Sequence, residues 1–140
     1  VGYVLINFLN YILSPFYWVK IIKLIENSSN IEAYELLNKI HPLAVKKNYK
    51  YFYLKSYIEL GLRQYESSLK SIKKGLNILD NNKLNDDEYA YLHKYAYGIE
   101  RMIYKMSNKY KDLEEVTILE KKISYNINNV SKKIQDFFPI

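Results

Sequence analysis

Residues Tyr53 to Leu79, YLKSYIELGLRQYESSLKSIKKGLNIL, decide the fold. In the second half, Tyr65, Ser68, Leu69, Ile72, Gly75, Leu76 and Leu79 recur every three or four positions, along one face of a 3.6-residue helix. Lys70, Lys73, Lys74 and Asn77 take the opposite face. In the first half, Tyr53, Leu54, Tyr57 and Leu60 form a matching stripe. Gly61 follows where a helix ends most readily in the left-handed conformation, so the stretch reads as two amphipathic helices joined by a Gly-led turn. Two short helices cannot bury both stripes alone, and the hairpin therefore demands helical neighbours.

At 140 residues the chain makes one domain with room for a core. It has no cysteine, which excludes disulfide staples and thiolate catalysis. A formal net charge of +6 favours anionic partners, but the 21 basic and 15 acidic residues are interleaved and form no nucleic-acid arm. The charge reads mainly as a solvated surface, and nucleic acid ranks last among the partners. There is no Gly-rich phosphate loop, nucleophile elbow or zinc motif. His41 and His93 lie far apart, with no second His or carboxylate at metal-ligand spacing. The sequence thus points to a protein that is not an enzyme and uses no cofactor or metal ion.

Residues 1–19, VGYVLINFLNYILSPFYWV, carry no charge, and the first residue is not Met, so a longer parent chain is expected. Two readings stand. One is the end of a membrane span flanked by Tyr17 and Trp18, with the Lys-rich part on the cytoplasmic side beyond Lys20 and Lys23. The other is a buried helix covering the first hairpin, in keeping with Asn7, Asn10, Ser14 and Pro15. The boundary falls between a hydrophobic segment, 1–14, and a helical domain, 15–140.

Ser14-Pro15 opens a helix that continues through Trp18, Ile21, Ile22 and Ile25 to the turn at Asn27-Ser28-Ser29-Asn30. Ser29 with Glu32 predicts a capping box for the next helix, whose stripe is Ile31, Tyr34, Leu37, Ile40 and Ala44. The apolar spacing survives across Pro42, which predicts a kinked helix to Lys47. After the Tyr53–Leu79 hairpin, Asn85 and Glu88 predict a second capping box, with Asp86 and Asp87 suited to the positive helix end. The dipole accounts for this acidic triplet. The helix that follows carries Tyr89, Leu92, Ala96, Ile99, Ile103 and Met106. A turn near Ser107 to Lys111 leads into one long capping helix with the stripe Leu113, Val116, Leu119, Ile123, Ile127, Val130, Ile134 and Phe137. The expected architecture is all-α, an α-α superhelix of stacked hairpins with about six helices and no strand.

These residues resemble the tetratricopeptide repeat family, whose signature is a Trp-x2-Leu-Gly-x2-Tyr helix followed by an Ala-x3-Phe helix in units of about 34 residues. Trp18, Ile21, Ile22 and Ile25 match the first-helix spacing. Tyr65, Ser68, Ile72 and Gly75 match the second helix. The likeness covers residues 15–82. It departs at Ile22, where the family has a small residue, at Leu62-Arg63-Gln64, which makes the turn about two residues longer, and in the long helices after residue 85.

The resemblance implies a non-catalytic protein-interaction module that holds a peptide or helix of another protein in a concave groove. Carried over residue by residue, the groove positions are Phe16, Val19, Lys23 and Glu26, then Asn48, Tyr51, Lys55, Ile58 and Glu59. Tyr51 and Lys55 stand where a chaperone-tail clamp needs Lys and Asn, so that clamp is not expected. A phenol beside an ammonium suits an apolar anchor next to an acidic group. The alternative is a structural subunit of a membrane-associated assembly anchored through residues 1–19. Tyr91 and Tyr95, and likewise Tyr97 and Tyr104, lie off the main stripe of their helix. They fit either a rigid amphipathic binding surface or packing under neighbouring helices.

Overall fold

The structure, a computed structural model, describes residues 17–40 and 45–137. The helices are α1 (17–26), α2 (Asn30–Asn38), α3 (Tyr49–Gly61), α4 (Tyr65–Leu79), α5 (Asp86–Met106), α6 (Tyr110–Lys122) and, after a 3-10 turn at Ile127–Asn129, the short α7 (Lys132–Phe137). No strand occurs among the described residues. Helices α3 and α4 form one antiparallel hairpin and α5 and α6 another, while α2 packs on α3 and α4 on α5. This is the packing of an α-α superhelix.

Three links share one geometry. Ser28, Arg63 and Asn108 adopt φ of 59°, 61° and 60°. In each case the next amide reaches five residues back, Ser29 N–H to the Leu24 carbonyl (2.8 Å), Gln64 N–H to Glu59 (2.9 Å) and Lys109 N–H to Tyr104 (2.9 Å). A left-handed residue closed by such a bond satisfies carbonyls that the ending helix leaves open. The Leu62-Arg63-Gln64 turn is therefore no longer than the other two.

Gly61 does not supply the left-handed residue, contrary to expectation; it is the last residue of α3, and Arg63 bends the chain. A Cβ at position 61 would stand 2.5 Å from the side-chain Nδ2 of Asn30, at the start of α2, so a side chain there would make Asn30 swing aside.

Helix α2 ends at Asn38, so the kinked helix to Lys47 does not form. Proline lacks an amide hydrogen for the carbonyl four residues back and pushes its predecessor out of the helical region, which favours a stop. Pro42 itself lies outside the described residues, as do the 1–14 segment and the proposed groove residue Phe16. Ser29 makes no side-chain cap, whereas the Asn85–Glu88 box is complete.

The last apolar stripe is not one helix. Helix α6 stops at Lys122, residues 123–126 run without helical structure, and among the stripe residues from Leu113 to Ile134 only Val116, Val130 and Ile134 are buried. Leu119 and Ile127 stay exposed. Ser and Asn side chains compete for backbone partners here, and Asn126 accepts the Asn128 amide. The segment is bolted to the start of α5. Asp87 accepts the Asn126 amide (2.9 Å) and the Asn129 side-chain amide (2.8 Å), and Glu88 accepts the Ser131 amide (3.2 Å). The two bonds to Asp87, that of the Asn126 amide first, hold its carboxyl below the usual carboxylate range. The acidic triplet is thus a clamp as well as a dipole partner.

Tyr53, fully buried, joins three helices. Its ring lies over Gly75 of α4, where an added Cβ would stand 2.6 Å from it, and its hydroxyl donates to the Leu92 carbonyl of α5 (3.1 Å). Gly75→Ala should lower the unfolding free energy by about 1–3 kcal/mol in urea melts, because overpacking against a fixed ring outweighs the better helix propensity.

Candidate binding surface

The inward stripe of α5 is Leu92, Ala96, Ile99 and Ile103, all essentially inaccessible. One notch round the helix, Tyr91, Tyr95, Gly98 and Met102 form a second stripe. With Tyr125 and the Arg101–Glu120 pair they surround a depression of about 340 Å³. Tyr95 is held flat on Tyr53, ring centroids 6.0 Å apart and planes 8° apart. Tyr91 meets Tyr125 edge-on at 5.2 Å. Tyr125 belongs to the 123–126 segment that the Asp87 clamp fixes. Arg101 Nε donates to Glu120 Oε2 (2.8 Å), tying α5 to α6 at the rim, and Lys94 Nζ donates to the Ile123 carbonyl (3.3 Å).

Gly98 is part of the lining. Unlike Gly61 and Gly75, it faces open space, since a Cβ there would meet only Glu120 Oε1, at 4.0 Å. A glycine inside a 21-residue helix costs about 1 kcal/mol relative to alanine, and no close packing requires this one. Burial raises the Tyr91 phenol, and Tyr125 adds to the rise; burial raises Tyr95 far more. Both therefore present protonated, amphipathic rings at neutral pH.

Of the residues that the sequence singled out for a groove, Tyr51, Ile58 and Glu59 are buried, while Val19, Lys23 and Glu26 are exposed. Lys23 is exposed on α1, and Asn48 is the N-cap of α3, accepting the Lys50 amide (3.0 Å). Tyr51 is buried against Phe52 (4.9 Å) and Trp18 (6.4 Å), while Lys55 is half-buried. Ile58 and Glu59 are fully buried. Nine of the thirteen α3 residues are buried, because α2 and α4 enclose the helix from two sides and leave little of it to a ligand. Glu59 accepts the hydroxyls of Ser67 and Ser71 (2.6 Å for the latter) inside the α3–α4 seam. Four-residue spacing placed these side chains on a common face; it does not say whether that face is open.

Of the off-stripe tyrosines, Tyr91 and Tyr95 line the depression and Tyr104 is buried. Tyr97 meets His93 on the other flank of α5. His93 Nδ1–H donates to the Tyr89 carbonyl (2.8 Å), and its Nε2 lies 3.8 Å from Asp80, a carboxylate that sequence spacing did not pair with it. Among the described residues no group of His, Asp and Glu is placed to hold a metal ion. Likewise no described helix is long and apolar enough to cross a membrane.

Comparison of the chain with protein-family models, curated proteins and solved structures returns no match.

Two outcomes follow from this geometry. Gly98→Ala should raise the unfolding free energy by about 1 kcal/mol in urea melts, the opposite sign to Gly75→Ala. Burial pushes Tyr49 up to about 12 and also raises Tyr53 and Tyr95. The folded chain therefore keeps protons that unfolded tyrosines release near pH 10. Stability should be unaffected by these groups below about pH 10 and fall as the pH rises from there through about 12. Phenolate absorbance and circular dichroism, followed together, should show these rings ionising only as the helices melt.

Proposed function

We propose that the chain is a non-catalytic protein-interaction module that seats a peptide or helix of another protein on the α5–α6 face. The observation that carries this reading is Gly98. A helix-weakening residue with no close packing lines a depression walled by three phenols and a thioether, and a large side chain there would occupy part of it. Rigid tyrosines give large contact area at low entropic cost, and Met102 adapts to different apolar shapes. Hairpins joined by one repeated turn suit a tetratricopeptide-like scaffold, and the binding surface lies on α5 rather than on α1 and α3.

The partner supplies an apolar or aromatic anchor for the depression, with an acidic neighbour suited to Lys94 at its rim. Peptides selected from a random display library on the wild-type protein provide the test. Their affinity should fall by about thirtyfold or more in Gly98→Leu, the equivalent of a 2 kcal/mol anchor, with the helical spectrum retained. Selected peptides that bind Gly98→Leu and Tyr91→Ala as tightly as wild type would contradict the assignment.

A further inference from the structure

Away from the α5–α6 depression, folding brings together four lysines from three stretches of the chain. Lys47 comes from the turn before α3, Lys50 from the first turn of α3, Lys83 from the α4–α5 link and Lys133 from α7. They line one cleft of about 480 Å³. No run of basic residues announces it; folding makes it. We propose that this cleft binds a small polyanion carrying two or more phosphate groups.

Charge is the first support. The one carboxylate in the cleft is Glu88, and its two oxygens accept the backbone amides of Asn85 and Ser131, each at 3.2 Å. The lining thus holds four lysines and one carboxylate, whose two oxygens already accept backbone amides. Among the described residues, none of Lys47, Lys83 and Lys133 lies within ion-pair distance of a carboxylate. Lys50 is held below the usual lysine range, first by burial and then by the charge of Lys133. Gathering like charges costs stability, and a bound anion offsets that cost.

The backbone adds to this field. Helix α3 begins in the cleft with no acidic residue in its first turn, whereas α2, α4, α5 and α6 each have at least one. Apart from the Lys50 amide, which the neutral Asn48 cap accepts, this helix start adds the positive end of its dipole to the cleft. Ser131 Oγ accepts the Ile134 amide (3.4 Å) and keeps its own hydrogen to donate.

Size and lining narrow the ligand. The volume lies within the range of small-ligand sites, about 300–1,000 Å³. Tyr49, the aromatic residue in the wall, is buried to 6% exposure and offers no face on which a base can stack. The site therefore suits phosphate groups rather than a nucleobase. It shares no lining residue with the α5–α6 depression.

Calorimetric titration of the full chain at low salt with inorganic pyrophosphate and with inositol 1,4,5-trisphosphate tests the proposal. Saturable one-site binding is expected, weakened at least about tenfold in Lys83→Glu/Lys133→Glu, where two attractive charges become repulsive. Lys83→Gln/Lys133→Gln should lie between. Lys70→Glu/Lys111→Glu makes the same change in net charge at exposed positions outside the cleft, and should stay within about twofold of wild type. Vesicles containing phosphatidylinositol bisphosphate separate the sources. Tighter binding than to the free trisphosphate assigns the ligand to a lipid head group, and equal binding to a soluble phosphate. Absence of saturable binding to either soluble probe, or equal loss in the Lys70/Lys111 variant, would overturn the proposal.

Discussion

Tyr53 cannot move without moving three helices. Its ring fills the space that Gly75 leaves on α4, its hydroxyl is bound to the Leu92 carbonyl of α5, and Tyr95 stacks on it from the same helix. Close approach and hydrogen bonding are coupled here, since the phenol reaches α5 only because α4 presents no side chain at position 75. Beside it, Ser56 and Ser68 each donate to the other's carbonyl, at 2.8 and 2.7 Å, and Glu59 takes two serine hydroxyls. A buried polar seam that is fully satisfied fixes one register, because sliding α3 against α4 would leave several groups without partners.

The aromatic depression depends on that seam. Tyr95 is rigid because Tyr53 is, and Tyr125 is in place because the Asp87 clamp folds the 123–131 segment over the start of α5. The clamp also delivers Val130 and Ile134 to the core and Lys133 to the lysine cleft. One set of hydrogen bonds at the start of a helix thus shapes both candidate surfaces.

The sequence made α4 and α5 legible because each has one buried face. Ser68, Ile72, Gly75 and Leu79 are buried as their spacing requires, and so are Leu92, Ala96, Ile99 and Ile103. Helix α3 was harder to read. A helix enclosed by neighbours shows no clean stripe, and Ile58 and Glu59 looked available when they are core. The final segment misled in another way: apolar residues kept a helical spacing across 123–131, while Asn126, Asn128 and Asn129 carried the opposing signal that backbone competition would win. Arg63 rather than Gly61 carries the left-handed turn, which residue type did not disclose. The lysine cleft joins residues more than eighty positions apart, and no local pattern contains it.

Native-state hydrogen exchange, read amide by amide, tests whether the α3–α4 seam is the element on which the rest depends. The seam predicts that the slowest amides lie in the middle of α3 and α4, around Tyr53–Glu59 and Ser68–Gly75, and exchange only through global unfolding. Amides of α6 and α7 should open at lower free energy while the seam stays protected. Protection greatest in α5 and α6, with α3 and α4 exchanging through a smaller local opening, would contradict it.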